Sequence, residues 1–230
     1  EYIREDSEGY IWFQTYDGRL HRFDKAREKF YTVRHASPFI RYNADRMFIE
    51  PQKGELYLVC ENGVMHLSEK TDGNISEQLF SMRGRSRAHF ILSDNNGYVW
   101  YDDSGSLVKR SILGTDSSFI TLPSADRSVT LTTATLSSDG LWFASDCGMM
   151  WRYSLSENRI EPVSLLPDAE ITSIVQLSGH EFLVGTHAHG LCLYNTLSAQ
   201  VSRIADANRI GHVISLVNDS LGTVWVETDQ

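Results

Sequence analysis

Residues whose types and spacing could do chemistry are few in this chain. His187-Ala-His189, with His180 seven residues upstream, is the one metal-like group, because two His at i, i+2 on a strand would share a face. The pair falls in a turn between strand-like segments and no third ligand is evident, so no metal is expected. Two stretches, 34–46 and 81–89, hold six Arg against one acidic residue. Guanidinium groups bind carboxylate or sulfate bidentately, which makes Arg41, Arg46, Arg83, Arg85 and Arg87 candidates for clasping an anionic ligand. His187 and His189 join them as candidate ligand contacts. The alternative reading of the arginines is a solvated loop, or pairing with Asp17, Glu61, Asp102 and Asp103.

Turnover has less to stand on. Glu5 or Glu50 could be cast as a glycosidase carboxylate, but Glu5 belongs to a repeated turn phrase that explains it without catalysis. No Gly-x-Ser-x-Gly, His-Glu-x-x-His or phosphate-cradling loop occurs. The Asp-x-x-Gly segments lack the alternating carboxylates and closing Glu of a calcium loop. No catalytic residue and no cofactor is expected.

The elements that must position these residues come from a repeat. A turn ending in Gly, an aromatic strand and a second turn ending in Gly recur about every 42 residues. The landmarks are Gly9/Trp12/Gly18, Gly54/Tyr57/Gly63, Gly97/Trp100/Gly105, Gly140/Trp142/Gly148, Gly179/Leu183/Gly190 and Gly222/Trp225. Asp6, Asp94 and Asp219 open their turns, where the carboxylate can accept from backbone N–H groups two or three residues on and Gly supplies positive φ. Each copy is too small to bury its own apolar faces, so neighbours must stack. Four short strands per copy make an all-β β-propeller, with five full four-stranded blades and a partial sixth. The approximate repeats are 1–40, 41–85, 86–127, 128–168, 169–208 and 209–230, forming one segment. Trp12, Trp100, Trp142 and Trp225 are then packing residues between blades and not sugar platforms. Helix is nearly absent, since no apolar stripe at helical spacing lasts three turns.

Composition bounds the partners. The chain is 41% hydrophobic and 22% charged with a net charge of −9, which suits a globular protein and argues against nucleic acid as a partner. Cys60, Cys147 and Cys192 fall in three repeats with no CxxC spacing, and read as unpaired thiols. Without an initiator Met or a signal-like N-terminus, the chain reads as an excerpt of something longer.

The wording of the repeat is more specific than its length. Glu5-Asp6-Ser-Glu-Gly9-Tyr-Ile11-Trp12-Phe-Gln-Thr15-Tyr-Asp17-Gly18-Arg-Leu20-His-Arg-Phe23-Asp24 resembles the regulator-propeller repeat of hybrid two-component sensors, departing where Gln14 replaces a Gly. Val184-Gly-Thr186 with Gly190-Leu-Cys-Leu-Tyr194, and Asn218-Asp-Ser-Leu-Gly222-Thr-Val-Trp225, also resemble it; the second to fourth repeats match loosely. The resemblance implies a periplasmic sensor segment that binds a glycan oligosaccharide and signals to a cytoplasmic kinase outside this chain. It also implies that the segment is an excerpt of a seven-bladed ring, that it self-associates as a sensor dimer, and that it contacts the remaining propeller and membrane-proximal domains of the parent. Rival readings are a scaffold for protein–protein interaction and, behind it, a propeller glycosidase or lyase.

Overall fold

The computed structural model describes residues 3–15, 19–33, 46–51, 53–60, 63–69, 75–83, 87–123, 129–219 and 221–230, with the side chains of 46 and 69 outside the description. It is an all-β fold of five four-stranded sheets and one two-stranded sheet. The first blade is β1 (Ile3–Glu5), β2 (Tyr10–Gln14), β3 (Leu20–Asp24) and β4 (Lys29–Thr32); the second is β5 (Arg46–Ile49), β6 (Leu56–Cys60), β7 (Gly63–Glu69) and β8 (Ile75–Ser81). The third is β9 (Ile91–Ser93), β10 (Tyr98–Asp103), β11 (Ser106–Ser111) and β12 (Ser117–Thr121). The fourth is β13 (Leu131–Ser137), β14 (Gly140–Ser145), β15 (Met149–Ser154) and β16 (Arg159–Ser164). The fifth is β17 (Ile171–Ser178), β18 (Glu181–Thr186), β19 (Gly190–Asn195) and β20 (Gln200–Ala205). A single-turn helix, α1 (Ala207–Ile210), leads to β21 (Val213–Asn218) and β22 (Val224–Thr228). Within each sheet, consecutive strands are hydrogen-bonded neighbours. The chain divides into two compact units, Glu1–Ser104 with Val108–Phe119, and Gly105–Leu107 with Ile120–Gln230.

The turn between the first two strands is built as its sequence requires, with one bond more. Asp6 accepts from Glu8 N at 3.0 Å and Tyr10 N at 2.9 Å, and its other oxygen accepts from the Trp12 indole at 2.6 Å. Asp94 repeats this with Asn96 N, Tyr98 N and Trp100 Nε1 at 2.8, 3.1 and 2.9 Å. Asp219 does so with Leu221 N, Thr223 N and Trp225 Nε1 at 2.9, 2.9 and 3.1 Å. The backbone donors lie two and four residues on, not two or three. In the fourth blade the turn is shorter, and Asp139 reaches the Trp142 indole from three residues away at 3.0 Å.

On the next strand a cation meets the same ring. Arg22, paired with Trp12 across the ladder, lies over Tyr10 at 4.5 Å and Trp12 at 5.5 Å. Lys109 lies over Tyr98 and Trp100 at 4.2 and 5.2 Å. Arg152, opposite Trp142, turns its Nε to Asp139 at 2.8 Å.

The clamped rings form the inter-blade cores. Trp12 packs with Leu56, Leu58 and Leu67 of the second blade, and Trp142 with Ile174, Phe182 and Tyr194 of the fifth. Trp12, Trp100 and Trp142 are buried; Trp225 is 65% exposed. The turn of Trp225 is formed, and among the described residues no further sheet packs on its ring. Side chains also tie blades together within the second unit. Thr132 Oγ1 donates to Ile171 O, and Thr172 Oγ1 to Val213 O at 2.7 Å.

Two outcomes follow from the turn carboxylates. Asp94→Ala strands three donors, one of them the indole of a fully buried ring, and costs about 2–3 kcal/mol in chemical denaturation; Asp219→Ala, beside an exposed ring, costs much less. Asp139 is the pH-sensitive case. Burial works to raise its carboxyl, but hydrogen bonds from Ser137 and Trp142 and the Arg152 guanidinium outweigh it and hold it below the usual carboxylate value. A group so depressed adds stability above its unfolded value of 3.8, and that contribution disappears as pH falls through the folded one. The urea midpoint therefore drops as pH falls below about 4, and Asp139→Asn shows a shallower drop.

Candidate functional site

The end of the blades where the second strand finishes and the first begins carries the side chains singled out by chemistry. Its backbone is held by a carboxylate that recurs at the finish of the second strand. Asp102 accepts from His89 N at 2.6 Å, Asp146 from Thr130 N at 3.1 Å, and Asp229 from His212 N at 2.7 Å. In the last two the acid's own N–H returns a bond to the same residue, at 3.0 and 3.2 Å. Glycine opens the third strand here because incoming chain crosses directly over it. A Cβ on Gly148, at φ +77°, would meet Leu166 O at 1.7 Å; one on Gly190, at φ +72°, would meet Ala205 O at 2.3 Å.

In the first unit the segment between β8 and β9 is anchored twice. Asp103 accepts from Arg83 N at 2.8 Å, and the adjacent Asp102 accepts from His89 N and Phe90 N. Both acids are 2% exposed. One buried dipeptide thus holds both ends of the Arg-bearing segment. Side chains complete the arrangement: the Arg83 guanidinium lies 3.3 Å from the centroid of Phe119, which fixes its plane by cation–π attraction. His89 Nδ1 lies 2.8 Å from Asp102 Oδ2, with the imidazole 39% exposed and the carboxylate 3%. An ionised carboxylate only accepts, so the ring proton sits on Nδ1.

The sequence-derived candidates distribute as follows. Arg83 and Arg87 flank the segment just described. Arg41 and Arg85 lie outside the described residues, as do Asp17 and Glu61. Arg46 opens β5, paired with Val59, and does not belong to the preceding linker. Asp102 and Asp103, expected as counter-ions for arginine, anchor backbone N–H groups.

His187 and His189 stand at the same end of the fifth blade. His187 N donates to Glu170 O at 3.0 Å, and His189 N to the hydroxyl of fully buried Thr186 at 2.9 Å. His180 occupies the opposite end of β18, where its carbonyl accepts from Thr196 N. The partner of His187 is instead His212: the rings stack 4.0 Å apart at 9°, and His212 Nδ1 meets His187 O. Parallel stacked imidazoles direct their in-plane lone pairs side by side and not to one point. Among the described residues no group of three His, Cys, Asp or Glu could hold a metal ion. Sequence reading missed His212 and Asp229, for which the only signal was the recurrence of His or Thr ahead of a first strand.

Cys60 and Cys192 are poor nucleophiles: burial pushes the Cys60 thiol up to about 11 and raises Cys192 as well. What remains at this end is hydrogen-bonding and cationic, suited to binding. Replacing Asp103 by Ala should release the Arg83 amide, and Asp102→Ala the His89 and Phe90 amides. Each exchanges with deuterium at least about tenfold faster, while amides of β14 are unchanged.

No protein-family model matches the chain, and no curated protein matches it. Solved structures do. Virginiamycin B lyase from Staphylococcus aureus superposes with a TM-score of 0.73 at 16% identity, covering 98% of this chain and 76% of the lyase. The extracellular domain assigned to a hybrid two-component system from B. thetaiotaomicron gives 0.73 at 20% identity, covering 98% of this chain and 32% of that one. The beta-propeller domain of Cps50 (Swd1) from Myceliophteria thermophila gives 0.69 at 11%, covering 93% and 75%. The fold is a β-propeller. Its likeness to a hybrid two-component ectodomain agrees with the resemblance read from the repeat wording, and the chain spans about a third of that ectodomain.

Proposed function

We propose that this chain is a ligand-sensing propeller segment from the periplasmic region of a hybrid two-component sensor, and that it binds an anionic, glycan-derived ligand. The observation that carries the reading is the Arg-bearing segment anchored at both ends on Asp102–Asp103. The Arg83 guanidinium, with its backbone N–H on Asp103 and its plane against Phe119, needs no ordering before it binds, which lowers the cost of binding. The carboxylates beneath are engaged by backbone N–H groups, and Arg is the side chain suited to bidentate carboxylate or sulfate recognition. Arg41, Arg46, Arg85, His187 and His189 remain candidate contacts on the same reading. The likeness to a hybrid two-component ectodomain supplies the signalling context.

Signalling on this reading is a population shift. Ligand moves a dimeric sensor from one arrangement to another only by binding the two with different affinity. The dimer, the glycan ligand and the remaining domains of the parent chain are part of the proposal, and turnover is not. One observation favours a second reading. A buried carboxylate orienting a half-exposed imidazole, as in Asp102–His89, is also how a general base is held, and a lyase shares the fold.

Uronate-bearing or sulfated oligosaccharides should raise the melting temperature, as a ligand preferring the folded state must, while neutral oligosaccharides of equal length do not. Arg83→Ala with Arg85→Ala should abolish the shift at unchanged intrinsic stability. An unchanged affinity in that double variant removes the anionic-ligand proposal, and sustained release of product that His89→Ala stops replaces it with the lyase.

A further inference from the structure

Between the first two blades, at the end opposite the arginine segment, lies a cavity of about 160 Å³ under the Trp12 ring. Its origin is visible by comparing repeats. In the second unit the space beside the equivalent Trp142 is filled by two rings, Phe182 at 4.8 Å and Tyr194 at 6.4 Å between centroids. Phe182 and Tyr194 are cross-strand partners. The positions equivalent to them in the second blade are Leu56 and Leu67, also cross-strand partners. Two aromatic fillers have become two leucines, and the cavity is what the missing rings leave.

The dimensions suit a ring from outside. The volume is that of a single ring, since a cavity of roughly 150 Å³ admits benzene. The lining is mixed: Trp12, Leu56 and Leu67 stand beside polar groups, Arg22 lies over Tyr10 and Trp12, and the turns bring Glu8 and Lys53. Glu8 and Lys53 are both exposed. A ring-sized space lined by both apolar side chains and charges of both signs matches a ring with a zwitterionic head.

We propose that this cavity is a binding site for a free aromatic amino acid, whose ring takes the place that Phe182 and Tyr194 fill between the fourth and fifth blades. The carboxylate meets Lys53 and the ammonium meets Glu8. The site is separate from the arginine segment and stands or falls independently of any glycan ligand.

The test is calorimetric titration of the chain with L-phenylalanine, with L-leucine, phenylacetate and phenethylamine as comparison arms. A ligand this small binds in roughly the millimolar range. Phenylalanine should saturate, with each comparison compound at least about tenfold weaker. Leu56→Phe with Leu67→Tyr should restore the internal fillers, raise the melting temperature and weaken phenylalanine at least about tenfold. If that double variant does not fold, Lys53→Ala and Glu8→Gln at the mouth report instead, each weakening phenylalanine several-fold. No saturable heat, equal binding of leucine, or affinity untouched in all these variants overturns the proposal.

Discussion

A carboxylate that holds an indole governs this architecture. Asp6, Asp94 and Asp219 each close a tight turn through backbone N–H groups and, with the remaining oxygen, fix the tryptophan six residues on. The same group therefore sets where the second strand starts and which way its largest ring points. A ring so fixed presents one side to the following blade and another to the cation on the third strand, as Arg22 and Lys109 show. Moving the indole would disturb turn, ladder and inter-blade core together. The fourth blade supports this by keeping the bond when the turn is shortened: Asp139 replaces the missing carboxylate from a different position, and Ser137 accepts from the turn backbone.

Repeats that lack the tryptophan solve the same problem differently. In the second blade Tyr57 stacks on His66 at 4.6 Å, with Glu55 holding the imidazole. Fully buried Glu50 there accepts from Lys53 N and replaces aspartate at the turn. Burial first, then the charges of Glu55 and Glu50, push the Tyr57 phenol well up, against the pull of Arg110. The phenol therefore stays neutral beyond the pH at which an exposed tyrosine ionises. The fifth blade gives up the aromatic at this position, with Leu183, and gains Phe182 and Tyr194 against its neighbour instead. Ring volume is thus conserved between the fourth and fifth blades but not between the first and second.

The blade count, the aromatic second strand and the carboxylate turns were legible because each is written within about ten residues. The indole bond was not: six residues separate Asp from Trp, and only the folded hairpin shows that the second carboxylate oxygen faces the ring. Trp225 repeats the phrase faithfully in its own turn, while the burial of its ring depends on a neighbouring sheet. The staple acids were harder still. Asp102 and Asp229 stand 13 and 17 residues from the backbone they hold, and in a linear reading Asp102 looked like a counter-ion for arginine. His212 lies 25 residues from His187, and no local pattern announces that the two rings stack.

The two ends of the blades obey different constraints, and that difference bears on where function sits. At the carboxylate–indole end, the second oxygen of Asp6, Asp94 and Asp219 is committed to a tryptophan, so substitution of these acids acts on stability. At the other end the recurring acids share a grip on backbone: Asp102, Asp146 and Asp229 each bind the N–H ahead of a first strand. A staple that grips backbone leaves the attached side chain free to vary, and it does vary, between His89, Thr130 and His212. Neighbouring positions vary as well, with Arg83 and Arg87 in one linker and Asp168 and Glu170 in another. A rigid frame that fixes main chain while releasing side-chain identity is what a repeat protein needs to change its ligand without changing its fold. The arginine segment is the place where that freedom has been used to gather charge of one sign on an otherwise acidic chain.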